Sequence, residues 1–264
     1  MPNRRDVLVG VSRAVLAGLV LPGLAATAAC GADRTSPPGP QPAPASPQPD
    51  QSPIDIVLGD VESAPGPLVF DYPESVAVEV EYVHRDGESG CRIRDREETI
   101  EALVPPGAAF VERDGTRFEL KQFHFHIASE HLLDGRRLPM EQHLVHRSAD
   151  GQVLVVAVFL VEGGRATVQD RVLANLPQEC GQSIPVDAVR LREGLPGDLT
   201  NFHYPGSLTT SPFTGGVQWH VLREQMRIDA GSIAAFRGLF PDGDARDPQP
   251  LGGRTVQEVP GRLG

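Results

Sequence analysis

From Gln51 to the C-terminus, apolar residues fall in short runs separated by Gly, Pro and Asp, and several runs alternate apolar with polar positions. A period of two sends successive side chains to opposite faces of a strand. The pattern therefore predicts strands at Ser75 to Val83, Thr99 to Leu103, Arg117 to Ile127, Met140 to His146 and Val217 to Leu222. Val153-Leu-Val-Val-Ala-Val-Phe-Leu-Val161 does not alternate, and an unbroken apolar run of that length fits a strand buried on both faces. Amphipathic stretches are few and short, with Gly164 to Asn175, Pro185 to Leu191 and Ala230 to Leu239 as candidate helices. The expected fold is mainly β (α+β), a single domain over residues 51–264 with a central sheet and short peripheral helices.

Ahead of Gln51 the pattern changes. Arg4 and Arg5 precede an apolar stretch from Val7 to Leu24, and small residues then lead to Cys30. Residues 1–30 read as a signal peptide, the paired arginines resembling a twin-arginine export signal. A retained transmembrane helix is the competing reading, disfavoured by Ser12, Arg13, Gly18 and Pro22 and by the shortness of the run. Residues 31–50 are proline-rich and make an extended tether. Two readings stay open at Cys30. One is acylation, as in a bacterial lipoprotein tethered to a membrane; the other is plain cleavage near Ala28, since Thr27 stands where a larger aliphatic residue is usual. Both export the domain to the cell envelope, the periplasm or the medium, where disulfides survive.

Charge narrows the range of partners. The formal net charge of -11 makes a surface that repels phosphate backbones, which argues against nucleic-acid binding, while 40% hydrophobic content suffices for a sizeable core.

The candidate chemistry lies in Lys121-Gln-Phe-His-Phe-His126. On a strand, Gln122, His124 and His126 share one face and the two phenylalanines take the other. Asp134-Gly135 is a turn signal, so the chain can return and lay Glu141 and His143 beside the first pair. Three neutral imidazoles leave one tetrahedral position open, the geometry of a catalytic zinc. Hydrogen-bonded or surface histidines are the alternative. Against it, Gln122 and Glu141 each stand two residues before a histidine, on its face, able to accept its other N–H. Histidine ligands would suit cobalt or iron as well as zinc.

Five segments follow in order: Gln51-Ser-Pro-Ile-Asp-Ile56, Lys121 to His126, Ser129-Glu-His131, Met140-Glu-Gln-His-Leu-Val-His146 and Tyr204-Pro-Gly-Ser-Leu-Thr-Thr210. With them the chain resembles the alpha-type carbonic anhydrases, from residue 51 to about residue 255, ending in Gln249-Pro-Leu-Gly-Gly-Arg254. The resemblance implies a twisted, mostly antiparallel sheet with zinc at the base of a conical cleft. It implies reversible hydration of carbon dioxide to bicarbonate and a proton by zinc-bound hydroxide, with zinc held by His124, His126 and His143. Gln122, Glu141 and the backbone carbonyl of Asp244, where the family usually has asparagine, would orient these ligands. Thr209 would accept a hydrogen bond from the hydroxide and give its own proton to Glu130, and Thr210 would help hold bicarbonate. Val145, Val155, Leu208, Val217 and Trp219 match the apolar substrate pocket, although ordinary core packing is the better explanation of such residues when the motif order is set aside.

Departures from the family are informative. The aromatic-rich segment usual before Gln-Ser-Pro is replaced by the tether, and Arg96-Glu97-Glu98 stands where the family commonly has Asn-x-Gly-His, whose histidine shuttles protons. Glu98, or His84 in the inserted stretch Val83 to Ile93, is the candidate substitute relay; for His84 an exposed loop histidine is the plainer reading. Thr210-Ser-Pro-Phe213 lacks the cysteine that extracellular members often carry there. Cys91 and Cys180 then either bridge, adding about 2 to 4 kcal/mol, or remain two thiols. Two further functions stay in view. One is a catalytically weak or silent binding domain at the envelope, although all three histidines with Thr209 and Glu130 are present; the other is a zinc-buffering lipoprotein, which eight scattered histidines do not favour.

Overall fold

The computed structural model describes residues 50–84, 98–164, 167–179 and 181–264. The export signal, all of the tether but its last residue, Cys30, Cys91 and Cys180 lie outside the described residues, as do the side chains of His84 and Glu98. In chain order the strands are β1 (Asp55–Ile56), β2 (Glu62–Ser63), β3 (Leu68–Asp71), β4 (Val76–His84), β5 (Glu98–Leu103), β6 (Phe110–Arg113), β7 (Thr116–His126), β8 (Leu132–Leu133), β9 (Arg136–Arg137), β10 (Met140–Ser148), β11 (Val153–Glu162), β12 (Ser183–Val189), β13 (Asn201–Ser207), β14 (Gly215–Leu222), β15 (Met226–Ile228), β16 (Gln257–Val259) and β17 (Gly261–Leu263). The α-helices are α1 (Val168–Leu173) and α2 (Ala230–Leu239).

One large mixed sheet runs in the order β12-β4-β5-β7-β10-β11-β14-β13-β16-β2. Its pairings from β12 to β11 are antiparallel, β11 meets β14 in parallel, and β14, β13 and β16 are antiparallel again. The expected sheet-dominated, mostly antiparallel fold is the one found.

The core lies on both faces of this sheet, and β11 shows why its sequence is apolar from Val153 to Val161. Leu154, Val156, Val158 and Leu160 enter one cluster with Phe123, Phe125 and Leu144. Val155, Ala157 and Phe159 enter the other with Tyr204, Val217 and Trp219. A strand buried on both faces has no position left for a polar residue. Burial of each large apolar side chain is worth roughly 1.5 to 3 kcal/mol, so the two phenylalanines between Gln122 and His126 hold the histidine strand firmly to the sheet.

The stretch Pro185 to Leu191 is not a helix. Ser183 to Val189 pairs with β4 as an edge strand, and a 3-10 turn follows from Leu191 to Gly194. Proline has no ladder N–H to offer, which an edge strand tolerates, and a register shift between Val186 and Val189, with Ala188 at φ 54, bends the strand. Of Gly164 to Asn175, the structure keeps Val168 to Leu173 as helix. Thr167 caps it, accepting from Asp170 N while Asp170 accepts from the Thr167 backbone N–H.

Candidate metal centre

Period-two alternation on β7 puts Phe123 and Phe125 in the larger core cluster and leaves Gln122, His124 and His126 on the opposite face. The chain turns back through Asp134 and Gly135, at φ 48 and 72, left-handed values that a two-residue hairpin between β8 and β9 requires. Antiparallel pairing then sets His143 opposite His124 and Glu141 opposite His126. The ring centroids of His124, His126 and His143 stand 5.0, 5.2 and 4.7 Å apart, and one nitrogen of each lies within 4.8 Å of the others. All three rings are buried. His131, Glu141 and His143 converge equally closely, but Glu141 already joins the other two by hydrogen bonds.

The far nitrogens fix which edge faces the centre. His124 Nδ1 donates to Gln122 Oε1 at 2.8 Å, leaving Nε2 for the centre; His143 Nε2 donates to Glu141 Oε1 at 2.9 Å, leaving Nδ1. Beside His126, Asp244 Oδ2 lies 3.5 Å from Nδ1 while its Oδ1 accepts the Ile127 N–H, so the contact seen here is made by the carboxylate. Burial raises the Glu141 carboxyl, but His131 and His143 outweigh it and hold the group well below its ordinary value. Burial lowers His143 despite the Glu141 contact, so the ring is neutral and its second nitrogen carries a lone pair.

A cavity of about 160 Å³ opens over two of these rings, His124 and His143. Its wall includes Val145, Val155, Leu208, Trp219, Thr209 and Thr210. Val217 is packed in the apolar cluster with Trp219 and does not line it. Arg147 does line it, continuing the face of His143 and Val145; the alternation contained that signal, but an arginine at a strand end reads as solvated. Glu130, 1% exposed, accepts from the Arg246 backbone N–H at 2.8 Å through Oε1, while Oε2 has no hydrogen-bond partner and lies 3.7 Å from His126 Nε2. A hydrogen bond between Thr209 and Glu130 is not among those of the described residues.

Two terminal motifs lock the floor. Ser52 Oγ accepts from Ser207 N at 3.1 Å, and Ser207 Oγ accepts from Ser52 N at 3.0 Å. Gly206 is required there, because a Cβ would overlap Ser52 Oγ. Tyr204 Oη lies 2.6 Å from His131 Nε2 and 3.0 Å from Ser52 Oγ, tying the Gln-Ser-Pro segment to Glu141 through His131. The sequence assigned no role to Arg246 or Ser52, whose partners lie more than a hundred residues away, nor to His131, which joins nearby Glu141 to distant Tyr204.

Three imidazoles that could hold a metal ion, beneath a cavity partly walled by apolar side chains and set in a large, mostly antiparallel sheet, narrow the class of protein. The family model for eukaryotic-type carbonic anhydrase matches residues 40–262. A carbonic anhydrase of Klebsiella pneumoniae is 38% identical over 158 residues, spanning 60% of this chain and 64% of that protein, just under two thirds of its length. One from Nostoc is 32% identical across 79% of this chain and 75% of its own. The alpha-carbonic anhydrase of Thermovibrio ammonificans, solved with the inhibitor sulfanilamide, superposes with a TM-score of 0.70 at 32% identity, covering 79% of this chain and 86% of that one. The chain belongs to the eukaryotic-type, or alpha, carbonic anhydrase family.

Away from the centre, His220 stacks on His203 with centroids 4.5 Å apart, and His146 Nε2 lies 2.8 Å from Tyr72 Oη. Burial pushes His146 down to about 3 and His220 well below its ordinary value, the latter helped by His203 and Arg113. Both are neutral in the folded protein and protonate on unfolding. The unfolded state therefore binds more protons below the ordinary histidine value of 6.5, and stability falls from there down toward about 3. Each such ring adds up to ~1.4 kcal/mol of loss per pH unit. Calorimetric melting of metal-free protein should show the transition falling steadily through that window; a flat profile would contradict neutral burial.

Proposed function

We propose that the chain is a zinc enzyme that hydrates carbon dioxide reversibly to bicarbonate and a proton. The observation that carries this is the convergence of His124, His126 and His143 within 4.8 Å, with a cavity over His124 and His143 whose wall includes Val145, Val155, Leu208 and Trp219. The donor set suits zinc: three imidazole nitrogens, two of the rings pinned by Gln122 and Glu141 so that the nitrogen facing the centre is the one without the proton. When bound there, zinc supplies the Lewis acidity that brings the pKa of a water down to about 7.

The remaining steps are those of the chain's own groups. Val145, Val155, Leu208 and Trp219 favour a small uncharged molecule over an ion. Glu130 presents an unpaired, buried Oε2 that would take the Thr209 proton, leaving the Thr209 oxygen to accept a hydrogen bond from the attacking water. Thr210 would steady the bicarbonate formed. Residues 1–30 would export the enzyme, with 31–50 as its tether and acylated Cys30 as a membrane anchor.

Proton export is where this chain differs. With Glu98 at the usual shuttle histidine, turnover should rise steeply with imidazole buffer, and Glu98→His should raise kcat in weak buffer by ~10-fold or more. A wild-type rate already high and indifferent to buffer would remove this expectation. The reading as a whole is tested by stopped-flow hydration with zinc content measured on the same sample. Full zinc occupancy without hydration above background would replace the enzyme with an envelope binding module.

A further inference from the structure

His143 Nε2 donates directly to the Glu141 carboxylate at 2.9 Å, and the Asp244 carboxylate lies 3.5 Å from His126 Nδ1. His124 has an amide instead, and an amide is ambiguous. One orientation of Gln122 offers oxygen to His124 Nδ1; the other offers an N–H. In the second, His124 would have to accept at Nδ1 and carry its proton on Nε2, directed at His126 and His143, where it would exclude a metal.

Across the β5–β7 ladder Glu101 faces His124 and Leu103 faces Gln122. Gln122 Nε2 donates to Glu101 Oε1 at 3.1 Å, and Gln122 Oε1 accepts from His124 Nδ1 at 2.8 Å. A carboxylate can only accept, so it captures the amide nitrogen and turns the oxygen to His124. We propose that Glu101 is a positioning residue of the metal centre: by selecting the orientation of Gln122 it holds His124 as its Nδ1–H tautomer with the Nε2 lone pair facing inward. Each of the three rings is thereby backed by a carboxylate, His143 and His126 by a direct approach and His124 through one amide. The consequence for metal retention rests on reading the histidines as ligands; the tautomer choice does not.

The test uses the whole protein and two variants, Glu101→Leu, which removes the acceptor, and Glu101→Gln, which keeps an oxygen but adds a competing donor. Nitrogen NMR of metal-free protein, at a pH where the rings are neutral, should show His124 as Nδ1–H alone in wild type and as a mixture in Glu101→Leu. Zinc release into excess chelator should be ~10- to 100-fold faster in Glu101→Leu, with Glu101→Gln between. A wild-type tautomer and wild-type zinc release in a folded Glu101→Leu would overturn the proposal. Failure of the metal reading looks different: wild type binds no zinc, yet the tautomer difference persists.

Discussion

His126→Ala should yield a folded protein that retains less than about a tenth of its zinc and has lost hydration activity by ~10³-fold or more. The size follows from the chemistry. Without a metal, the pKa of water returns to its far higher bulk value, and no side chain at this site replaces the nucleophile available at neutral pH. His126 is the sharpest ligand to remove because its neighbours do not depend on it for their orientation. Gln122 still holds His124, and Glu141 still holds His143. Two imidazoles would remain in place but leave the tetrahedral set short of a ligand. The fold should survive, since Phe123 and Phe125 anchor β7 from the other face. Circular dichroism and melting report the fold, and metal analysis with stopped-flow kinetics reports the rest. A variant that keeps its zinc would place the metal elsewhere, and one that lost zinc but kept activity would remove metal from the mechanism.

Much of this centre was legible because β-structure has a period of two. His124 and His126 share a face whatever the rest of the fold does, and Gln122 and Glu141 fall two residues before their histidines on the same faces. Helix α2 was equally readable from its amphipathic spacing, and in the structure Asp229 caps it, its side chain accepting from Gly231 N. Cross-strand register was not legible. That His143 faces His124, and that Glu101 reaches Gln122, depends on strand pairing that no local pattern encodes. Arg246 meets Glu130 across 116 residues of sequence through a backbone N–H, a contact that leaves no trace in side-chain type. β13 was missed for another reason: Pro205 and Gly206 break the apolar alternation that marks a strand, yet Gly206 sits in one where Ser52 approaches its backbone closely. β12 was misread as a helix because apolar spacing in so short a segment fits both periods.

Thr209→Ala should keep full zinc and lower kcat/KM by ~10² to 10³-fold, the cost of losing one preorganised hydrogen-bonding group. Thr209 is 8% exposed at the cavity wall, so the substitution costs little packing and leaves every proposed ligand untouched. Its importance derives from Glu130. One Glu130 oxygen is committed to the Arg246 N–H; the other is buried without a hydrogen-bond partner, a condition that is costly unless a donor serves it. If the Thr209 hydroxyl is that donor, its proton is spent on Glu130 and its oxygen can only accept, which orients the attacking water. Thr209→Ser should then recover most of the rate, since the hydroxyl is kept. Glu130→Gln offers an N–H as readily as an oxygen and should fall nearly as far as Thr209→Ala. Combining Thr209→Ala with Glu130→Gln should cost little beyond either alone, because both remove the same link. Additive losses in the double variant, with zinc retained, would mean that the two residues act separately, and Glu130 would then be left as a carboxylate that shapes the site without directing the chemistry.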